Sequence, residues 1–299
     1  MILPARRLAL LLLSLLPLAA QADSLRLCDH STALDAAQRD QLLRVAAVVK
    51  STLDRSGRSV ALLSRSGLDL DRFGVRYSHA GISLRSSANG PWSVRQLYYA
   101  CDEGRPRIFD QGVAGFVMGI SAPEQAYLSA VTLPAAAAAE LERAALDNAS
   151  ALQLLGSRYS ANAHAFGLLY QNCNQWVAEL LALTWGRPAS DAPPRQRAQQ
   201  WLRQQGYEPT TVAAGPLYML AGLFVPWVHQ GDHPEADLQR GVYRVSLPQA
   251  IESFVQRQVP GAERLEFCHD GRRVVVHRGW TPIAPGCVPG AGDEVVALD

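Results

Sequence analysis

The spacing of apolar and polar residues predicts a chain of mixed helices and strands. In residues 31–53 apolar side chains recur every three or four positions, which predicts a helix that Ser31 or Thr32 can cap. In residues 77–84 apolar and polar residues alternate instead, which predicts a strand. Residues 92–100 predict a second strand, and the turn-forming sequence SSANGP between the two makes them a hairpin.

The same reasoning predicts the other elements. Strands are expected at residues 107–112 and 127–133, a long alanine-rich helix at 134–155, a polar linker at 190–197, a buried loop or short helix at 215–228, and a hairpin at 263–280. Strands and helices in this order favour an α+β fold with an antiparallel sheet packed on helices. The interruption after residue 190 predicts two parts, a core at 23–190 and an appended C-terminal α/β unit at 191–299 that holds the last hairpin.

The first residues have the pattern of a secretory signal peptide. Arg6 and Arg7 precede an apolar run, and Ala20-Gln21-Ala22 is a small-x-small cleavage pattern. We therefore expect residues 1–22 to be removed and the mature chain to be periplasmic. The apolar run is too short for a membrane span, which needs about 20 residues, so no stable span is expected.

Charge excludes one class of partner. Cleavage after Ala22 removes two of the 28 basic residues and none of the 27 acidic ones, which leaves 26 against 27. A nearly neutral chain lacks the basic face that nucleic-acid binding requires. No P-loop, dinucleotide fingerprint or His-Glu-x-x-His motif occurs, so no cofactor is expected. Histidine and carboxylate residues cluster at 229–237, but their spacing fits no established metal-ligand pattern, so no metal site is expected there.

Five cysteines in an exported chain leave one without a disulfide partner. Cys28 and Cys101 lie in the N-terminal part, and Cys268 and Cys287 bracket a short C-terminal unit, so we expect these two disulfides. Cys173 remains, in the sequence YQNCNQWVAELL. Without a Cys-x-x-Cys motif, a redox role for this thiol has no support.

Cys173 is predicted to occupy the first turn of an amphipathic helix that Asn172 caps and that ends near Gly186. The free N–H groups and the positive dipole end of a helix N-terminus favour a thiolate, and they can also hold an oxyanion. A buried structural cysteine is the alternative interpretation. If the thiol is a nucleophile it needs a base, and His79 in the predicted strand is the best candidate. His164, nine residues before the cysteine, is the rival.

The order of YSHAGISL and then YQNCNQWVAELL resembles the permuted papain-like group, which includes the permuted NlpC/P60 amidases and the lecithin-retinol acyltransferase-like proteins. In that group a histidine strand comes first, a strand with a polar third residue follows, and the cysteine helix comes last. The resemblance implies Cys173 as the nucleophile and His79 as the base. Gln96 aligns best with the third position, and Asp102 and Asp110 remain alternatives.

The whole chain, with DHPEAD at 232–237 and the ending HRGWTPIAPGCV, is similar to a bacterial family known only as domain of unknown function 2145. That similarity names no substrate. The papain-like resemblance and the predicted signal peptide together imply a periplasmic cysteine hydrolase or acyltransferase that acts on an amide or ester bond of a cell-envelope substrate, such as a cell-wall peptide. The alternative hypothesis is a catalytically inactive envelope protein that binds or assembles and keeps the same fold.

Overall fold

An eight-stranded antiparallel sheet forms the centre of the molecule. The computed structural model describes residues 33–68, 70–188 and 191–298, so the predicted signal peptide, Cys28 and the proposed caps Ser31 and Thr32 lie outside the described residues. The strands run in the order β10-β9-β8-β5-β1-β2-β3-β4. Their bounds are β1 Val60–Arg65, β2 His79–Leu84, β3 Ser93–Ala100, β4 Arg105–Gln111, β5 Ala126–Thr132, β8 Glu263–His269, β9 Arg273–Arg278 and β10 Glu294–Ala297. A separate two-stranded sheet consists of β6 Thr210–Ala213 and β7 Val242–Val245.

Helices cover both faces of the large sheet. The helices are α1 Ala36–Arg55, α2 Val113–Val117, α3 Ala135–Leu146, α4 Asn148–Leu152, α5 Cys173–Gly186, α6 Pro194–Gln204, α7 Gly215–Gly222, α8 Glu235–Gln239 and α9 Pro248–Gln258, with a short 3-10 helix at Asp71–Phe73. One apolar core lies between the sheet and α3, α5 and α9, and a second lies between the sheet and α1 and α2. The mixed α+β fold with a large antiparallel sheet is therefore as the sequence predicts.

Strand β1 is an element that the sequence analysis misses. Its side chains alternate between the two cores, Leu62 in one and Leu63 in the other, and all six of its residues are buried. A strand that is buried on both faces has no polar face, and the alternation that identifies a strand therefore disappears.

Three predicted elements need correction. The helix predicted at 134–155 is interrupted at Asp147, which is extended and whose carboxylate accepts hydrogen bonds from the N–H groups of Ala149 and Ser150, so that α4 begins anew. The linker predicted at 190–197 contains the start of α6, because Pro194 occupies the first helical turn, where proline is favoured. The segment 215–228 does contain a short helix, but much of its apolar surface is exposed, so the expectation of burial is wrong.

The C-terminal strands complete the main sheet. Strand β8 pairs with β5 over seven residues, and β9 and β10 extend the sheet from β8. The boundary predicted at residue 190 stays a prediction, but strands from both sides of it belong to one sheet. The predicted disulfide between Cys268 and Cys287 is confirmed. Cys101 is disulfide-bonded as well, and its predicted partner Cys28 lies outside the described residues.

None of the described helices is both long enough and apolar enough to span a membrane.

Candidate active site

The first turn of α5 carries Cys173, a buried cysteine that forms no disulfide with the described residues. Asn172 adopts an extended conformation before the helix, and its side-chain oxygen accepts a hydrogen bond from the N–H of Gln175 at 2.7 Å. The predicted cap and helix start are therefore confirmed. Cys173 is 6 % exposed and lies in the core beneath β2 and β3. The N–H groups of this first turn have no acceptor within the helix, and they sit at the positive end of its dipole.

The polar residues around Cys173 fix the position of this turn. The Gln171 side chain donates to the carbonyl of Leu154 at 2.8 Å and accepts from the N–H of Gly156 at 2.7 Å. The Gln175 amide donates to three carbonyls of the loop before the helix, those of His164, Ala165 and Gly167. Since all of these amides are buried, each bond replaces water that the site excludes.

Asn174 joins the cysteine turn to the histidine strand. Its side-chain nitrogen donates to the carbonyl of Ser78 at 2.9 Å. Ser78 directly precedes His79, the first residue of β2. The residues next to the thiol and next to the imidazole are therefore hydrogen-bonded to each other, and α5 packs on β2 and β3.

His79 is hydrogen-bonded to the neighbouring strand. Its Nε2 lies 2.8 Å from Oε1 of Gln96 on β3. The nitrogen of the same amide donates to Oε1 of Gln111 at 2.6 Å, which turns the Gln96 oxygen toward His79 as an acceptor. With the Gln96 oxygen as acceptor, Nε2 is the donor, and Nδ1 is the ring nitrogen that can take up or release a proton. His79 is only 5 % exposed, and Gln96 is fully buried.

Gly81 brings the two strands close enough for this contact. A Cβ atom at this position would lie 2.5 Å from a methyl group of Val94, and 3.1 Å from both the Arg95 carbonyl and Cβ of Gln96. No side chain fits into this space without a shift of β3. The glycine that follows His79 by two residues is therefore required by packing.

Aromatic and basic residues that the sequence analysis did not identify surround the imidazole. The Tyr98 ring stacks on His79 with the centroids 4.8 Å apart, and Phe116 lies on another side at 5.9 Å. The buried guanidinium of Arg65 donates to the Tyr98 hydroxyl at 3.1 Å, and Arg65 is paired with His79 in the register of β1 and β2. Strand alternation places Tyr98 on the same face of β3 as Gln96. Arg65 lies on β1, so its place beside His79 could be found only after that strand had been recognised.

The alternative site residues have other contacts. Asp110 forms a two-bond ion pair with Arg95, at 2.7 Å for each bond, and Asp102 lies in the turn between β3 and β4. His164 faces His233, with the ring centroids 5.6 Å apart, and its Nδ1 accepts from the N–H of Phe166. Burial, together with the His233 charge, lowers the pKa of His164 to about 4. His164 is therefore neutral at pH 7 and is held by its own loop.

A buried ion pair fixes α5 from the side of α6. The Glu179 carboxylate on α5 accepts from Arg195 at 2.9 Å and from Gln199 at 2.7 Å. Arg195 also donates to the carbonyls of Gly167, Leu168 and Tyr170, the segment that leads into the cysteine turn. Burial raises the pKa of Glu179, and the Arg195 charge opposes this increase. Helix α6 lies in the segment that was predicted to be a linker and part of the appended unit, so its contacts with Glu179 could not be predicted.

The polar cluster at 229–237 supports the loop around His164. Asp232 accepts a hydrogen bond from the backbone N–H of His164 at 3.0 Å, and His233 Nε2 lies 2.7 Å from the Asn162 carbonyl. Asp237 forms an ion pair with Arg240. In the ranges that the structure describes, no three histidine, cysteine or carboxylate side chains come together as a metal site would require.

Comparison with known proteins identifies the family. The family model described as "Uncharacterized protein conserved in bacteria (DUF2145)" matches residues 52–255, which is more than half of the chain. The chain therefore belongs to this bacterial family. No match was found among curated proteins or among solved structures. The matched range contains Cys173, His79 and Gln96, and it ends before β8.

Proposed function

We propose that this protein is a cysteine hydrolase or acyltransferase of the permuted papain-like type, acting on an amide or ester bond. In chain order, the histidine strand β2 comes first, β3 with Gln96 second, and the cysteine helix α5 last. This is the order of the group that the sequence resembles. The proposal gives Cys173 the role of nucleophile, His79 that of general base and acid, and Gln96 that of the group that orients the imidazole.

The observation that carries the proposal is the hydrogen bond between His79 Nε2 and Gln96 Oε1. A catalytic imidazole needs one nitrogen fixed by a polar partner, so that the other nitrogen is basic and points in a fixed direction. The bond leaves Nδ1 as the basic atom of a ring that is stacked on Tyr98. Ser78, the residue before His79, accepts a hydrogen bond from the side chain of Asn174, the residue after Cys173.

The proposed reaction has two steps. The Cys173 thiol gives its proton to His79 Nδ1, and Sγ bonds to the substrate carbonyl carbon to form a tetrahedral oxyanion. N–H groups of the first turn of α5 stabilise this oxyanion. When it collapses, the bond to the leaving nitrogen or oxygen breaks, and His79 returns the proton to the leaving group. A thioester remains on Cys173, and water or an acceptor alcohol or amine, deprotonated by His79, releases the acyl group and regenerates the thiol.

The proposed location is the periplasm. The supporting observations are the signal-peptide pattern in residues 1–22 and the disulfide between Cys268 and Cys287. Disulfides persist in oxidising compartments, which include the bacterial periplasm. A substrate in that compartment is a component of the cell envelope, and a peptide amide of the cell wall fits the proposed chemistry.

The experiment that tests the proposal is labelling of the mature protein with iodoacetamide, a probe small enough for a nearly buried thiol. We expect labelling at Cys173 alone, which Cys173→Ala abolishes. Replacement His79→Gly should slow labelling at neutral pH by about tenfold or more, because a thiol with a pKa near the free value of about 8.5 is only a few per cent thiolate at pH 7. Added imidazole should restore part of the rate. His277→Gly, at a histidine on β9, is the matched control and should label like the wild type.

The competing hypothesis of an inactive envelope protein predicts a different result. In that case the thiol would be an ordinary buried core group, and labelling would require unfolding. If His79→Gly labels as fast as the wild type while its circular dichroism spectrum is unchanged, His79 is not the base. His164→Gly would then be the next variant to measure.

A further inference from the structure

A cavity lies between the small sheet and α7, and it is almost entirely apolar. Its volume is about 300 Å³, at the lower end of the range of roughly 300–1,000 Å³ that small-molecule sites occupy. Its walls include Leu70, Phe73, Val212, Tyr218, Val245 and Leu247. Arg72 is the one charged residue among those that line it. A cavity of this composition selects a hydrocarbon ligand, because a polar ligand would lose its hydration without gaining partners.

The helix that covers this cavity exposes apolar side chains on its outer side. Leu217 is 75 % exposed, and Phe224, just beyond the end of α7, is 83 % exposed. Leu220 and Leu223 are also exposed, and residues 209–228 contain no Asp, Glu, Lys or Arg. Four large exposed apolar side chains within eight residues are typical of a contact with an apolar ligand or phase.

Arg72 places a positive charge at this cavity. Its guanidinium lies 5.0 Å from the centre of the Phe73 ring and 4.8 Å from that of Tyr218, so the cavity's own aromatic walls hold it. Its side chain is exposed, and none of the carboxylates in the described parts of the chain forms an ion pair with it. An arginine in this position can pair with the carboxylate or phosphate of a ligand.

The cavity shares its walls with the supports of the cysteine turn. Asn172, the cap of α5, donates weakly to the carbonyls of Ala161 and Ser246. Ala161 lines the cavity, and Ser246 lies between the lining residues Val245 and Leu247. On the other side, the lining residue Leu68 donates its N–H to the hydroxyl of Ser78 at 2.7 Å. A ligand in the cavity therefore lies against the same segments that hold Cys173 and His79.

We infer that this cavity binds an anionic amphiphile, with one hydrocarbon chain against the apolar walls and the charged head group on Arg72. The ligand comes either from solution as a free fatty acid or from a bilayer as an anionic phospholipid. Both share this chemistry, and the exposed apolar surface of α7 is the side from which a chain enters. Binding at this site requires no reaction at Cys173, so the inference goes beyond the proposed hydrolase and can stand or fall without it.

The test measures binding to the mature Cys173→Ala protein with both disulfides intact. One arm titrates palmitate by calorimetry, and the other measures co-sedimentation with phosphatidylglycerol vesicles, with phosphatidylcholine vesicles for comparison. Val212→Trp fills the cavity, and Arg72→Gln removes the charge. The matched controls are Val295→Trp on β10 and Arg85→Gln, which change an exposed valine and an exposed arginine elsewhere.

We expect saturable binding in at least one arm, which Val212→Trp and Arg72→Gln each weaken about tenfold or more, equal to about 1.4 kcal/mol. Both controls should stay within about twofold of the starting protein. Binding of palmitate alone identifies a free fatty acid as the source, and binding of the anionic vesicles alone identifies a phospholipid. The inference is overturned if neither arm shows binding, or if folded Val212→Trp binds as tightly as its control.

Discussion

At the scale of single residues, the candidate site depends on a glycine, Gly81, as much as on its polar side chains. Gly81 permits β2 and β3 to approach closely, and this approach brings His79 to Gln96. His79, Gln96 and Cys173 can be identified from the sequence because each has a local signal: an alternating strand, a strand position that matches a known group, and a helix cap. Arg65 has no such signal, because its role arises from the pairing of β1 with β2. Tyr98 shares a face of β3 with Gln96, but its stacking on His79 depends on how β2 and β3 pair.

Replacement Gly81→Ala should disturb this contact. The new Cβ would meet a backbone carbonyl at 3.1 Å, which cannot rotate away as a side chain can. We expect a loss of about 1–3 kcal/mol in unfolding free energy, as in overpacked cores, and slower iodoacetamide labelling of Cys173. Gly112→Ala is the matched control, because a Cβ there meets nothing within 4 Å. Equal labelling rates for the two variants would contradict this account of Gly81.

His269 should make stability depend on pH. It is fully buried, neither ring nitrogen has a hydrogen-bond partner among the described residues, and burial lowers its pKa to about 4. In the unfolded chain the pKa is about 6.5, so between these values the unfolded state binds more protons and stability falls as pH falls. The loss is complete below pH 4 and amounts to about 3 kcal/mol.

Urea unfolding of the wild type and of His269→Gln between about pH 4 and 7.5 checks this prediction. The variant should lose less stability than the wild type over that interval, because glutamine does not titrate. Parallel stability curves for the two proteins would show that the histidine is not the source.

At the scale of elements, the helices and strands with local sequence signals are the ones that were predicted best. The start of α5 follows from Asn172 and the apolar stripe behind it, and the β2–β3 hairpin follows from alternation and a turn. The division between α3 and α4 was missed because a run of alanines outweighs one aspartate in a helix propensity argument, although Asp147 prefers to cap. Strand β1 was missed because both of its faces are buried.

The cap of α5 should control both stability and thiol reactivity. Asn172→Ala leaves the N–H of Gln175 without its acceptor, and we expect a loss of about 1 kcal/mol in unfolding free energy. The thiol loses part of the fixed geometry of the first turn, so labelling of Cys173 should also slow. Asn172→Ser is the matched control, because serine caps about as well as asparagine. If alanine and serine variants label and unfold alike, the cap has neither role.

At the scale of the whole molecule, the sheet extends across the sequence boundary at residue 190. The hairpin at 263–280 was predicted from its Asp-Gly turn, but local sequence does not specify that β8 pairs with β5, which lies more than a hundred residues earlier. The position of α5 against β2 and β3 was accessible only through the resemblance, because no local pattern states which helix packs on which strand. Long-range pairing is therefore where prediction from this one sequence ends.

Removal of residues 260–299 should abolish cooperative folding. It deletes β8, β9 and β10, and with them Phe267, Val274 and Val276, which are buried in the core beneath α1 and α2. The exposed edge of β5 would also favour aggregation. Urea unfolding monitored by tryptophan fluorescence checks this prediction. A shortened chain that unfolds cooperatively and still labels at Cys173 would show that the C-terminal strands are an independent unit.

The proposal that His79 activates Cys173 as a nucleophile is tested most directly by the rate of Cys173 alkylation by iodoacetamide as a function of pH. We predict that the rate at pH 6–7 is already close to its plateau, because the helix N-terminus and His79 maintain the thiolate. In His79→Gly the rise in rate should shift toward the pKa of about 8.5 of a free thiol. The contrary result is a wild-type rate that rises only near pH 8.5, with the same profile in His79→Gly. That result would make Cys173 an ordinary core thiol.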